Sequence, residues 1–161
     1  MPTSRRSRVS FPVALGFALF VAVPQAGAAD IAVLEPWTWP AREEETAVVF
    51  MQVENGGATD RLVAVASPAA RAAAAYGNGI LLGGHRVVGS RRVDGFEVRA
   101  RGVTRLEPGN LHLRLIGLLH SLVVGDRVPV VLTFERAGKV AVWVEVRPLW
   151  DARDLLGRGS P

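Results

Sequence analysis

The stretch Ala47-Val48-Val49-Phe50-Met51-Gln52-Val53-Glu54-Asn55, closed by Gly56-Gly57, decides how the rest of the chain is read. It is apolar and β-branched, and the glycine pair marks a turn, so the segment is a strand ending in a reversal. Working outward, Arg61 to Ala66 alternates loosely and stops at Ser67-Pro68. Phe96-Glu97-Val98-Arg99 and Val103-Thr104-Arg105-Leu106 alternate with period two. Glu107-Pro108-Gly109-Asn110 is a turn, with Pro early and Gly after it. Leu111 to Leu118 is the next strand, Gly125-Asp126 turns the chain into Arg127 to Phe134, and Ala137-Gly138-Lys139 leads into Val140 to Val146. Pro129 stands near a strand start, where a missing N–H is tolerated. Pro36 and Pro40 bracket Trp37 and Trp39 and read as an extended lead-in rather than a ladder strand. Ala69 to Ala75 is the only helix-favouring stretch, ended by Gly77. Short strands, about seven to eight of them, separated by regular turn signals are the signature of a β-sandwich or barrel.

Composition narrows what such a domain can do. The first 29 residues read as a cleavable export signal: Arg5, Arg6 and Arg8 form a positive start, Val9 to Val23 is apolar, and Ala26-Gly27-Ala28 is a small-residue cleavage site. Residues 30–148 then form the sandwich domain and 149–161 a charged, Gly-containing tail. Removing those three arginines from the 19 Lys and Arg leaves 16 basic against 15 acidic side chains. A nearly neutral body offers no basic stripe to a phosphate backbone, so nucleic acid is not an expected partner. After signal cleavage no membrane segment is expected either. The absence of cysteine removes disulfides, thiolate nucleophiles, iron–sulfur clusters and zinc ribbons together. Ser67, Ser90, Ser121 and Ser160 lie in no Gly-x-Ser-x-Gly setting, and Gly83-Gly84 is a turn rather than a phosphate cradle. Glu43-Glu44-Glu45 reads as a solvated loop. No catalytic residue is identified, and the chain is not expected to be an enzyme.

Three histidines exist, His85, His112 and His120. His112 stands in Leu111-His112-Leu113-Arg114-Leu115, where alternate residues share a face, so His112 and Arg114 are neighbours. A histidine there is either an ordinary half-buried imidazole or part of a site.

A series of short segments occurs in a recognisable order. They include Phe50-Met51-Gln52-Val53-Glu54-Asn55-Gly56-Gly57, Asp60-Arg61-Leu62-Val63, Leu106-Glu107-Pro108-Gly109, Leu111-His112-Leu113, Gly125-Asp126-Arg127-Val128-Pro129 and Leu132-Thr133-Phe134-Glu135-Arg136-Ala137-Gly138. Together, over about Asp30 to Val146, they resemble the periplasmic PCu(A)C copper chaperones, which help deliver copper to the CuA centre of cytochrome oxidase. The resemblance implies an all-β, cupredoxin-like or immunoglobulin-like Greek-key sandwich and a periplasmic location. It also implies Cu(I) as cargo, and cytochrome oxidase or another copper-handling periplasmic protein as partner.

That family holds Cu(I) with the pattern H-x10-M-x21-H-x-M, soft thioethers and imidazoles that suit a soft ion. With His112 as the second histidine, the spacing places the second methionine at Arg114, the first at Ser90 and the first histidine at Gly79. One ligand of four survives. A guanidinium keeps its charge and cannot donate to a metal, Ser90 offers a hard hydroxyl, and Gly79 offers no side chain. His85, in the same segment as the missing ligands, is the candidate second imidazole beside His112. Two readings stay open: a copper-handling protein with a rebuilt or partner-completed site at His112 and His85, or a metal-free relative that keeps the sandwich as a periplasmic binding or assembly module. In the second, Arg114 would pair with a carboxylate of a partner or with an anionic ligand.

Overall fold

The computed structural model describes residues 30–77, 80–82 and 86–149, with only the backbone course described for 80–82 and 86–88. The export signal expected at 1–29, Gly79, His85 and the tail from residue 150 lie outside the described residues.

All the described elements are strands, twelve in number. They run β1 (Ile31–Thr38), β2 (Thr46–Asn55), β3 (Asp60–Ala66), β4 (Ala70–Gly77), β5 (Ile80–Leu82), β6 (Arg86–Val88), β7 (Arg91–Val93), β8 (Phe96–Val98), β9 (Gly102–Leu106), β10 (His112–Leu118), β11 (Arg127–Phe134) and β12 (Gly138–Val146). Ten of them share one sheet, in the order β7-β4-β10-β2-β1-β12-β11-β3-β8 with β9 also paired to β2, while β5 and β6 form a separate hairpin. The sheet wraps around its inner face and nearly closes. Its seam lies between β3 and β4, which follow each other in sequence but pair with β11 and β10 instead.

Alternation explains what each strand buries. In β11 the residues Val128, Val130, Leu132 and Phe134 point inward, and in β12 Val144 and Val146 meet them. Ala47, Val49, Met51 and Val53 of β2 and Leu113 and Leu115 of β10 complete one apolar core. Met51 is thus a core residue. Burying such side chains stabilises the fold by about 1.5–3 kcal/mol each before the entropy of ordering is set against it. In β12 the exposed face carries Trp143, at 63% exposure, between inward Val142 and Val144.

The all-β architecture agrees with the sequence reading, and three local expectations need correction. The strand count is higher than seven to eight. Pro36 and Trp37 belong to a ladder strand: β1 pairs antiparallel with β2 and parallel with β12. The pairing shifts register between Leu34 and Trp37, and Glu35 takes a left-handed φ of 48° there. A bulge of this kind accommodates a proline that a regular central strand would reject. The alanine run is a strand, not a helix. Ala70 to Tyr76 pairs along β10 from Leu118 to His112, and these long-range hydrogen bonds override the local helix preference of alanine.

Two polar clamps hold the end of the sheet remote from Leu118. Asn55, almost fully buried, donates from Nδ2 to the carbonyls of Ala58 (2.8 Å) and Val98 (3.2 Å) and accepts from the Gly57 N–H (2.9 Å). The buried Asp60 carboxylate accepts the N–H groups of Arg61 (2.7 Å), Arg136 (2.9 Å) and Ala137 (2.8 Å). Burial pushes its pKa up, but these donors and the charge of Arg136 outweigh that and hold it below the ordinary 3.8.

Candidate functional site

The outer face of β1, β2, β10 and β4 carries a second, smaller apolar cluster. Phe50 lies between Trp37 and Trp39, with ring centroids 4.8 and 5.1 Å away, and Val48 packs against the group. Phe50 is on this face because its neighbours Val49 and Met51 face the core. Next to it, in β10, stands His112, 6.4 Å from Phe50 between centroids and fully buried. Beyond His112 is its cross-strand partner Tyr76 of β4, whose ring lies 6.0 Å from the imidazole at an interplanar angle of 19°. The sheet therefore lays an aromatic row around one imidazole.

The protonation of that imidazole follows from its contacts. His112 Nδ1 lies 2.9 Å from the Asn110 carbonyl oxygen, which can only accept, so Nδ1 carries the hydrogen. The lone pair of the neutral ring is then on Nε2, which is buried and has no hydrogen-bond partner among the described residues. Burial lowers the pKa from the ordinary 6.5; the Asn110 bond opposes this and the charge of Arg114 adds to it. A neutral imidazole with one N–H fixed on a backbone carbonyl and the other nitrogen free is the usual preparation of a histidine ligand.

Arg114 is two residues on, on the same face. Its guanidinium carbon stands 4.5 Å from the centre of the Tyr76 ring, and Nη2 donates to the Ser90 hydroxyl. The layers run Arg114, Tyr76, His112. Thus three of the four positions that the spacing assigns to metal ligands, Ser90, His112 and Arg114, fall on described residues and lie in one place. Two of them touch each other, as a guanidinium and a hydroxyl where two thioethers were expected. The fourth position, Gly79, and the proposed second imidazole, His85, are outside the described residues, so the His85–His112 pairing is not decided by the geometry. Among the described residues no group of three or more His, Cys, Asp or Glu side chains gathers. Their donor set for a soft ion is the single Nε2 of His112.

His120 is exposed in the loop after β10, and Glu43, Glu44 and Glu45 are exposed ahead of β2, where Glu44 pairs with Arg71. Tyr76 and Asn110 were not singled out from the sequence. Tyr76 is the one tyrosine of the chain, but it closes an alanine run that reads as helix. Asn110 was absorbed into a turn.

The fold is that of PCuAC-type domains. The copper-bound PCuAC domain of PmoF2 matches at a TM-score of 0.62 with 25% identity, covering 74% of this chain and 93% of that one. The apo PCuAC domain of PmoF1 matches at 0.59 with 26% identity, covering 74% and 94%. The Cu(I) form of DR1885 from Deinococcus radiodurans, at 23% identity, TM-score 0.55, and coverage of 76% and 83%, supports the fold. The sequence profile of the LpqE-like family, described as "Putative lipoprotein LpqE-like", matches residues 31–146. The chain belongs to that family. No curated protein matches the sequence. No helix among the described residues is long and apolar enough to cross a membrane.

Proposed function

We propose that this chain is a copper-chaperone-like protein that works in the periplasm after export on residues 1–29, and that it is not an enzyme. Its cargo is Cu(I), handed to cytochrome oxidase at the CuA centre or to another copper-handling protein. The observation that carries this reading is the buried Nε2 of His112, which has no hydrogen-bond partner among the described residues and sits on a PCuAC-type sheet with Nδ1 fixed by Asn110. One imidazole is a weak holder of Cu(I), so the remaining ligands come from His85 or from the partner. Such an incomplete set suits an ion that is to be passed on.

A second reading is favoured by Arg114. Its guanidinium fills a ligand position, bonds to the residue at another, and repels a cation beside His112. On this reading the chain is a metal-free relative, a binding or assembly module of the periplasm. Anaerobic Cu(I) titration against a competing chromophoric chelator separates the two. One equivalent held against the chelator, and lost in His112→Ala, supports copper handling. No retention by the wild-type protein sinks a site closed by His85 within this chain, and no retention when a copper-handling partner is added as well leaves the metal-free module.

A further inference from the structure

Strand β12 turns one face to the core and the other to solvent. Val144 and Val146 go inward, while Lys139, Ala141, Trp143 and Glu145 are all exposed. Among the described residues Trp143 is the most open of the large hydrophobic side chains, at 63% exposure. A single exposed tryptophan says little, since scattered apolar side chains are normal on a surface. Its setting says more. Ala141, one outward position away, is opposite Val131 of β11, and Val131 is opposite Ala66 of β3. A protruding indole therefore stands beside a low row of small side chains, on strands separated from His112 of β10 by β1 and β2.

The outward order Lys139, Ala141, Trp143, Glu145 matches itself when reversed. Two copies can bring this face together about a two-fold axis lying between their sheets, so that each β12 stacks on the other. With that axis along the strands, Lys139 meets Lys139, Trp143 meets Trp143 and Glu145 meets Glu145, and like charges repel. With the axis across the strands at Val142, each Trp143 comes down on Ala141 of the other copy, beside Val131, and each Lys139 faces a Glu145. The charges are available for this. Lys139 makes no ion pair among the described residues, and Glu145 accepts from Arg147 Nε at 3.1 Å while remaining half-exposed.

We propose that the outer face of β11 and β12 is the interface of a homodimer, with the two β12 strands stacked antiparallel about Val142. The inference goes beyond copper handling, and β10 and β4 take no part in the contact. A second copy fits better than an unrelated partner, because one cation and one anion flank the alanine–tryptophan pair in mirror positions. Strand geometry also sets the strength. Lys139 to Glu145 spans about 20 Å, and three strands are about 10 Å wide between outer axes. An interface of that size is at the low end of the specific class, so the dimer depends on concentration.

The test uses the whole chain, expressed with its own N-terminal sequence and purified as the cell leaves it. Sedimentation equilibrium over about 10 µM to 1 mM should show wild type passing from monomer to dimer. Trp143→Ser, at an open position where the far-UV spectrum should not change, should weaken the dimer about tenfold or more. Lys139→Glu sets carboxylates against each other at both ends and should weaken it several-fold, and Glu145→Lys should do the same with cations. An equimolar mixture of those two variants should associate again, and high salt should erase that rescue. Val123→Ser, at another open apolar position, should associate like wild type. The proposal is overturned if wild type stays monomeric throughout, if Trp143→Ser dimerises as wild type does, or if Val123→Ser dissolves the dimer. Wild-type behaviour of Lys139→Glu overturns it as well, and is what an axis along the strands would give. A monomeric wild type that sediments with phosphatidylglycerol vesicles through Trp143 gives the face to a membrane and overturns it equally. None of these outcomes depends on Cu(I), so this inference and the copper reading fail separately.

Discussion

Strands β2 and β10 lie side by side, and their two faces obey different rules. Inward, Ala47, Val49, Met51 and Val53 meet Leu113 and Leu115 in the main core, where contacts are numerous and non-directional. Outward, Phe50, His112 and Arg114 belong to a small group in which polar contacts are directional: Asn110 for Nδ1, Ser90 among the contacts of the guanidinium, nothing described for Nε2. The inner face needs volume and apolarity, so many sequences serve it, and a PCuAC-type sheet is recognisable at about a quarter sequence identity. The outer face needs particular donors, and there Ser90 and Arg114 stand on the same kind of sheet where the resemblance leads one to expect thioethers. Fold and site can diverge independently because alternation assigns them to opposite sides of the same strands.

The separation is broken most directly on the inner face. Leu115→Ala removes a fully buried side chain and leaves a cavity; the expected loss is about 2–5 kcal/mol, seen as a lowered denaturation midpoint with an unchanged m-value. At temperatures where the variant stays folded, its Cu(I) titration should match wild type. A change would mean that the two faces are coupled through the strand.

A polar residue can also serve the fold alone, and Asp60 sharpens the contrast. Asp60→Asn keeps one acceptor oxygen of two and should cost about 1–3 kcal/mol, measured by urea denaturation. The carboxylate also titrates. Its folded pKa is below the unfolded 3.8, so its contribution is complete above that value and is lost as pH falls through the folded pKa. The acid limb of the wild-type stability curve should therefore be steeper than that of Asp60→Asn.

The inner face was legible from sequence because alternation and turn residues write it twice: Arg127 to Phe134 and Leu111 to Leu118 emerged with bounds close to those observed. What stayed hidden depended on pairing across long sequence distances. Ala70 to Gly77 carries no period to betray a strand, and its identity comes from β10, some forty residues later. Tyr76 and Asn110 were hidden for the same reason, since neither announces a contact with His112. Spacing did place Ser90 and Arg114 as related positions, and the structure puts them in contact. It could not say what a guanidinium would do there.

On the outer face, His112 gives a smaller effect with a clear sign. Its folded pKa is lowered from 6.5, so the folded state prefers the neutral ring. Its contribution is complete above the unfolded value and is lost as pH falls below it and through the folded pKa. Thermal melts of the metal-free protein should therefore show a fall in Tm on acidification past the ordinary histidine range, and His112→Gln should flatten that slope. A slope identical in both proteins would mean that the buried ring does not stay neutral on folding.

Tyr76→Leu should give the smallest loss. It keeps a bulky apolar side chain beside His112 but removes the ring under Arg114, and a half-exposed cation–π contact is worth about 0.5–1 kcal/mol. The stability change alone would not distinguish this from ordinary repacking. The informative comparison is with Tyr76→Phe, which keeps the ring and should leave stability unchanged, since the phenol makes no hydrogen bond among the described residues. If Leu and Phe lose the same amount, the guanidinium is held by Ser90 and the strand, not by the ring. If only Leu loses, the stack of Arg114 on Tyr76 on His112 is an energetic unit, and the ring couples the guanidinium to the imidazole.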